Sequence, residues 1–427
     1  MTGNEVSDYK QLKEVKKRLA LNLEKKLILK SLYYCGSKVP VIRGQAAVAL
    51  VANNKQAKFV GVSSCKSSWC CPVCTSRQMA KHGARIACAI EALKKQGLVP
   101  AMLTFTVPHT SGFTCEQVTE IAYKTWKAFT VHGNKPAGNY MNDVFANFCG
   151  SFNSKHRVRV TEYTFGNAGW HPHFHCLFWF PANRIQEILE WEGRLNERWL
   201  ELCKRFTIRE LLIGYPETQR KTVLAKVTTR VNIMYAKMDR CGSNGVYISK
   251  DKAGKVIVQK SSQYITGWSA DKELTGNVKN KARENHYTWQ QILELAIQTN
   301  DEKWWNLYFE YALATRKYRH ARVNFSVQSG IGKIIENYKK TESYKTFSKK
   351  NATDRLKNLG RWKTVCWFTK LQWKLICLND LEADLLQLAL NENALQQIIN
   401  LLESHKIPIP VQNAAQSVAL ENVLNAA

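Results

Sequence analysis

The chain has 427 residues, 45% of them hydrophobic and 11% aromatic, which excludes wholesale disorder and leaves room for two or three domains. Sixty-two Lys and Arg against 34 Asp and Glu leave a net charge of +28, the balance of a protein with an anionic polymer, most simply nucleic acid, as its partner. The surplus is uneven: Asn379 to Ala427 carry a net −5 and the first 378 residues +33, so the tail reads as a packing or partner segment rather than a DNA contact.

No N-terminal apolar run has the form of a secretion signal, and no run of about 18 apolar residues is present to span a membrane. Thirteen Cys, with Cys70 and Cys71 adjacent, do not suit a paired-disulfide scaffold. The expectation is a cytoplasmic protein with reduced thiols, whose clustered Cys are read first as metal ligands.

Residues 10–32 alternate Lys and Glu with Leu12, Val15, Leu19, Leu23 and Leu27, the pattern of one basic amphipathic helix. Cys71-Pro-Val-Cys74 is a knuckle that lets two thiolates grip one Zn²⁺, and Cys35 and Cys65 complete a tetrahedral set, leaving Cys70 spare. A basic helix follows over 75–96, where Arg77 and Lys81 are candidate DNA contacts. Ala101–Val107 has strand composition and stops at Pro108, and 115–130 reads as a helix. Val158–Phe165 and Phe174–Phe180 form a hairpin around an Asn-Ala-Gly turn, and Ile185–Phe206 is a helix. A basic segment, Arg220–Arg230, then leads to a polar hairpin around Gly242, Gly245 and Gly254. Thr288-Trp-Gln-Gln291 has the form of a capping box. Residues 338–363 are a basic linker, and Leu381–Leu402 an amphipathic helix. The chain divides into an N-terminal helix with a Cys-rich element (1–98), a central domain (99–335) and a linker with a helical C-terminal region (336–427).

The most specific stretch is His171-Pro-His-Phe-His175. On a strand, residues two apart share a face, so His173 and His175 project together, half of a metal site inside an apolar strand. Glu162, on the partner strand, is the candidate third ligand. Two imidazoles and a carboxylate suit Mg²⁺ or Mn²⁺ in contact with phosphate, and a three-His Zn²⁺ site through His171 is the competitor. A metal-polarised phosphodiester needs a nucleophile, and with no phosphate-cradling loop or Ser/His/Asp arrangement in view, tyrosine is the candidate.

Four segments in order resemble the replication initiators of bacterial rolling-circle plasmids, members of the HUH endonucleases. They are Cys65–Cys74, Leu103-Thr-Phe-Thr-Val-Pro108, Glu162 with Gly169–His175, and Ser262-Gln-Tyr-Ile-Thr-Gly-Trp-Ser-Ala-Asp-Lys-Glu-Leu-Thr275. The resemblance covers about residues 35–330. It implies an α+β fold: a central antiparallel sheet carrying the histidines and flanked by helices. It also implies that Tyr264 attacks a phosphate of the single-stranded origin, holds the 5′ end covalently and frees a 3′-OH primer. The family often has Lys three residues after the tyrosine, where this chain has Gly267, and in some members Glu four residues before it, where this chain has Lys260. Lys260 and Lys272 are substitutes for the Lys. Glu273 is a candidate termination base, and Tyr235 or Tyr247 a second nucleophile. A host helicase and DNA polymerase are the implied partners, since no ATPase motif is present. The alternatives are an HUH relaxase or transposase, or a non-catalytic zinc-dependent DNA-binding regulator.

Overall fold

The computed structural model describes residues 5–39, 47–130, 144–153, 156–239, 245–256, 286–318, 322–325, 330–346, 348 and 361–408. The chain is mixed helix and antiparallel sheet in two compact units, one of residues 1–80 with 339–427 and the other of residues 81–338.

In the first unit the two ends of the chain come together. Strands β1 (Ala47–Ala52) and β2 (Ala57–Val60) pair antiparallel, and β9 (Lys363–Thr369), over three hundred residues later, pairs on the other side of β1. The three consecutive segments expected from the sequence are therefore regrouped, because strand pairing is indifferent to separation along the chain. Part of the basic segment 338–363 leads straight into β9, whose alternating Val365, Trp367 and Cys366, Phe368 are masked in sequence by the Lys and Arg before them. Phe59 of β2 packs edge-on against Tyr9 and Trp373, with ring centroids 5.5 and 4.6 Å apart, and Trp373 Nε1 donates to the Gly36 carbonyl at 2.9 Å.

The expected single helix over 10–32 is three: α1 (Glu5–Ala20), α2 (Leu23–Ile28) and α3 (Lys30–Tyr33). Asn22 causes the break, its side-chain oxygen accepting from Lys25 N as the N-cap of α2. The C-terminal helix is likewise divided into α13 (Glu382–Leu388) and α14 (Ala394–Ser404) around Asn391-Glu-Asn393, and Leu385 and Leu386 of α13 are fully buried. The described part of the tail thus serves packing, with Lys13 of α1 donating to the Asp380 carbonyl at 3.3 Å.

The second unit is built on a sheet with strand order β6-β3-β5-β4-β7, made of β3 (Leu98–Thr106), β4 (Arg157–Gly166), β5 (Gly169–Pro181), β6 (Gly245–Ile248) and β7 (Tyr287–Thr288). β8 (Val323–Phe325) also pairs with β4. The β4–β5 hairpin turns on Asn167-Ala168, and Gly169 leaves the turn at φ +87°, where a Cβ would meet Ser111 Cα at 3.1 Å and the Thr110 carbonyl at 3.3 Å. One sheet face is apolar and takes α5 (Cys115–Thr130) and α7 (Glu192–Ile213). There Phe105 and Phe174 each meet Trp126 edge-on with centroids 5.4 Å apart, and Trp199 lies 5.1 Å from Phe105. Each such side chain taken fully out of water contributes about 1.5–3 kcal/mol. Arg159 is buried on this same face, its guanidinium 4.8 Å from the Phe174 ring and 5.1 Å from that of Trp126.

The helix expected over Ile185–Phe206 begins as a 3-10 segment, Ala182–Trp191, and continues as α7. The basic segment at 220–230 belongs to the long helix α8 (Glu217–Asp239). Thr288 and Gln291 form the capping box, starting a helix at Trp289. Among the described residues no helix is long and apolar enough to cross a membrane.

Candidate metal centres

Register builds the first centre. His173 stands opposite Glu162 of β4 and Thr106 of β3, and His175 opposite Val160 and Thr104. Directly opposed residues of antiparallel strands point to one face. Thr104, Thr106, Glu162, His171, His173 and His175 therefore share a face, while Phe105, Thr161, Phe174 and Cys176 fill the other. Glu162 Oε2 lies 3.2 Å from His173 Nε2 and 3.3 Å from His175 Nε2. The three side chains keep 20, 14 and 12% of their exposure, so they are reachable yet poorly hydrated.

The hydrogen bonds orient both rings. His173 Nδ1 is 3.4 Å from the His171 carbonyl, which can only accept, so a proton on Nδ1 satisfies this contact in the tautomer that leaves Nε2 to ligate. His175 Nδ1 lies 3.0 Å from Thr104 Oγ1, which accepts the Nδ1 proton when Nε2 is the ligand. Two nitrogen lone pairs and a carboxylate oxygen aimed at one point repel one another unless a proton or a cation lies between them. Burial pushes the Glu162 carboxyl up, but the pull of His175 and His173 prevails and holds it well below the usual carboxylate range. Burial lowers His175, with Glu162 opposing it. The donor set fits a divalent ion, with Glu162, His173 and His175 as its ligands.

His171 stands beside this set. Its ring stacks on His109, centroids 4.6 Å apart at 25°, and its Nε2 is buried without a hydrogen-bond partner among the described residues. Burial, with His173 and His109 adding to it, drives its pKa down to about 2.

The second centre is formed by Cys35, Cys65, Cys71 and Cys74, all buried. Cys35 Sγ is 3.4 Å from Cys74 Sγ and 3.7 Å from Cys71 Sγ. Four sulfurs around one Zn²⁺ at about 2.3 Å stand about 3.8 Å apart, so the cluster is compatible with zinc. Cys71 and Cys74 come from the start of α4 (Pro72–Lys94), Cys35 from the turn after α3 and Cys65 from the loop after β2. Hydrogen bonds from Cys35, Cys65 and Cys71 pull the Cys74 thiol far down, and burial holds Cys71 up. Cys70 is apart, beside Ser67 Oγ at 3.7 Å.

Arg77, expected on a DNA-facing surface, is bound instead to Glu5 through Nε at 3.1 Å and Nη2 at 2.7 Å. Its position one helical turn after Cys74 puts it against α1, which periodicity within α4 does not reveal. Lys81 is exposed on the same helix. Tyr235 is 4% exposed and paired with Thr207 Oγ1 at 3.0 Å, and burial holds its phenol well above the usual range, which removes it as a nucleophile. Tyr247 stands opposite Thr104, on the face of the histidines. Tyr264, Glu273, Lys260 and Lys272 lie outside the described residues. Thr104 is the site residue that sequence reasoning passed over; the alternation of Thr104 and Thr106 in β3 was its one signal.

No protein-family model matches the chain, and no solved structure matches it. A "Neomycin resistance protein" of Streptomyces cyanogenus is 26% identical over 133 residues, which cover 28% of this chain and 30% of that protein.

Proposed function

We propose that the chain is a rolling-circle replication initiator that nicks one strand of its origin through a tyrosine nucleophile. The observation that carries this reading is the two-nitrogen, one-oxygen donor set of Glu162, His173 and His175, on a sheet face of a protein with net charge +28. A hard divalent ion, Mg²⁺ or Mn²⁺, held there supplies Lewis acidity to a phosphodiester oxygen. The His171 carbonyl and Thr104 lie against the two Nδ1 atoms, so each Nε2 faces Glu162, where the ion would be held. Tyr264, assigned by the resemblance, bonds through its Oη to phosphorus as the P–O3′ bond breaks; its phenolic proton passes to water, and the 3′ oxygen leaves and takes up one in return. The phosphotyrosyl ester keeps the energy of the broken bond for rejoining. Glu273, again by resemblance, serves as the termination base, and Tyr247 is the second nucleophile that the strand register favours over Tyr235. Zinc at the four cysteines is a structural ion. A host helicase and polymerase extend the primer.

The test is denaturing electrophoresis of the intact protein after incubation with single-stranded oligonucleotides tiled across the replicon that encodes it, with Mn²⁺. The expected product is a covalent protein–DNA adduct, absent with chelator and absent in Tyr264→Phe. If the wild-type protein forms no adduct with any oligonucleotide, the nickase reading falls, and a zinc-dependent DNA-binding regulator replaces it. If Tyr264→Phe still forms adduct and Tyr247→Phe does not, the nucleophile is reassigned.

A further inference from the structure

We infer that helix α8 is a duplex-DNA reading element, separate from the metal face, that seats the protein in a major groove. The inference rests on the reading of this chain as acting on DNA. The helix is held along one side by Val227, Val231 and Tyr235, all buried. At 100° per residue the opposite line runs through Thr222, Ala225, Thr229 and Ala236, small side chains that are exposed. Lys221 lies on one flank of that line, and Lys226 and Arg230 on the other, while Leu224 and Ile233 are 44 and 53% exposed.

Two features suit this surface to a polyanion. Between Glu217 and Asp239 the sequence has no acidic residue. Some surface cations elsewhere have carboxylate partners: Arg184 with Glu187, Arg198 with Glu201, Lys317 with Glu116, Lys345 with Glu342. Lys221, Lys226 and Arg230 have none among the described residues. Lys226 and Arg230 are also four apart, a like-charge spacing that works against the helix unless an anion lies across it. The flank with Lys221 and the flank with Lys226 and Arg230 stand about one helix diameter apart, roughly 10–12 Å, close to the roughly 12 Å width of a B-DNA major groove. Cations at that spacing reach the phosphates of both groove walls while the line of small residues approaches the base edges. Thr229 Oγ1 donates back to the Ala225 carbonyl at 3.0 Å, which leaves its oxygen as an acceptor and its methyl for thymine.

The test is fluorescence anisotropy of the full chain with a labelled 30-base-pair mixed-sequence duplex, read as the slope of log K against log salt. The triple variant Lys221→Gln, Lys226→Gln, Arg230→Gln should lower the slope by about 2.7, since each phosphate contact contributes about 0.9. A control with the exposed Lys252, Lys255 and Lys303 replaced by Gln should leave the slope near that of the wild type. The triple variant should still form the covalent adduct with a short single-stranded oligonucleotide. An unchanged duplex slope overturns the inference, as does an equal fall in the control or an equal loss of single-strand binding. Absence of adduct in the wild-type protein strikes the nickase reading instead and leaves the duplex result standing on its own.

Discussion

Thr104→Val tests whether the metal face works through oriented rings. Valine keeps the β-branched shape that suits β3, so the strand pairing with β5 and β6 is preserved. What goes is the acceptor 3.0 Å from His175 Nδ1. Thr104 is half-buried, so the folding cost is one net hydrogen bond, about 0.5–1.5 kcal/mol. The binding cost is larger, because an unanchored ring samples both tautomers and other rotations. Loss of a residue that orients a metal-ligating histidine typically costs 10–100-fold in metal affinity, about 1.4–2.7 kcal/mol. Calorimetric titration with Mn²⁺ measures this directly, and the rise in melting temperature with Mn²⁺ reports it independently through linkage. A valine variant that binds Mn²⁺ within twofold of the wild type refutes the argument that Thr104 sets the ring. Glu162→Gln, which keeps the shape and removes the charge, calibrates the assay with a larger loss.

Two further outcomes follow from the first unit. Cys71→Ser should lower bound zinc from one to zero per chain by elemental analysis and depress the melting temperature; an unchanged zinc content would show that the sulfurs meet without a metal. Burial, with Glu5 adding to it, lifts the Asp8 carboxyl from 3.8 to about 7, against its hydrogen bond from Ser76 and the pull of Arg77. The folded state thus holds this proton more tightly than the unfolded chain, and the stability it contributes is full below about pH 4 and is lost as pH rises through 7. Urea unfolding of wild type and Asp8→Asn should therefore differ more at pH 8, where the asparagine is the more stable, than at pH 4; equal differences at both values would refute the assignment.

The histidine strand was legible because its chemistry is local. A period of two fixes His173 and His175 on one face, and the hairpin turn fixes which residue of β4 lies opposite, so Glu162 could be named from sequence. The knuckle at Cys71 and Cys74 was equally local, and Cys35 and Cys65 lay close enough to be guessed. Helix boundaries at Asn22 and Asn391–Asn393 were less legible, since a polar residue that caps one helix and breaks another looks the same in a pattern of charges.

The sequence by itself determined the composition of the metal face, the thiol cluster and the basic character, because each depends on residue type and short spacing. Tertiary structure alone decided that β9 closes the sheet begun by β1, and that Arg77 binds Glu5 rather than facing outward. It also decided that Tyr235 is buried, Tyr247 stands near the histidines and Thr104 anchors His175. Those outcomes turn on which distant surfaces meet, and hydrophobic burial, being non-directional, leaves no short-range mark of its partner in the chain.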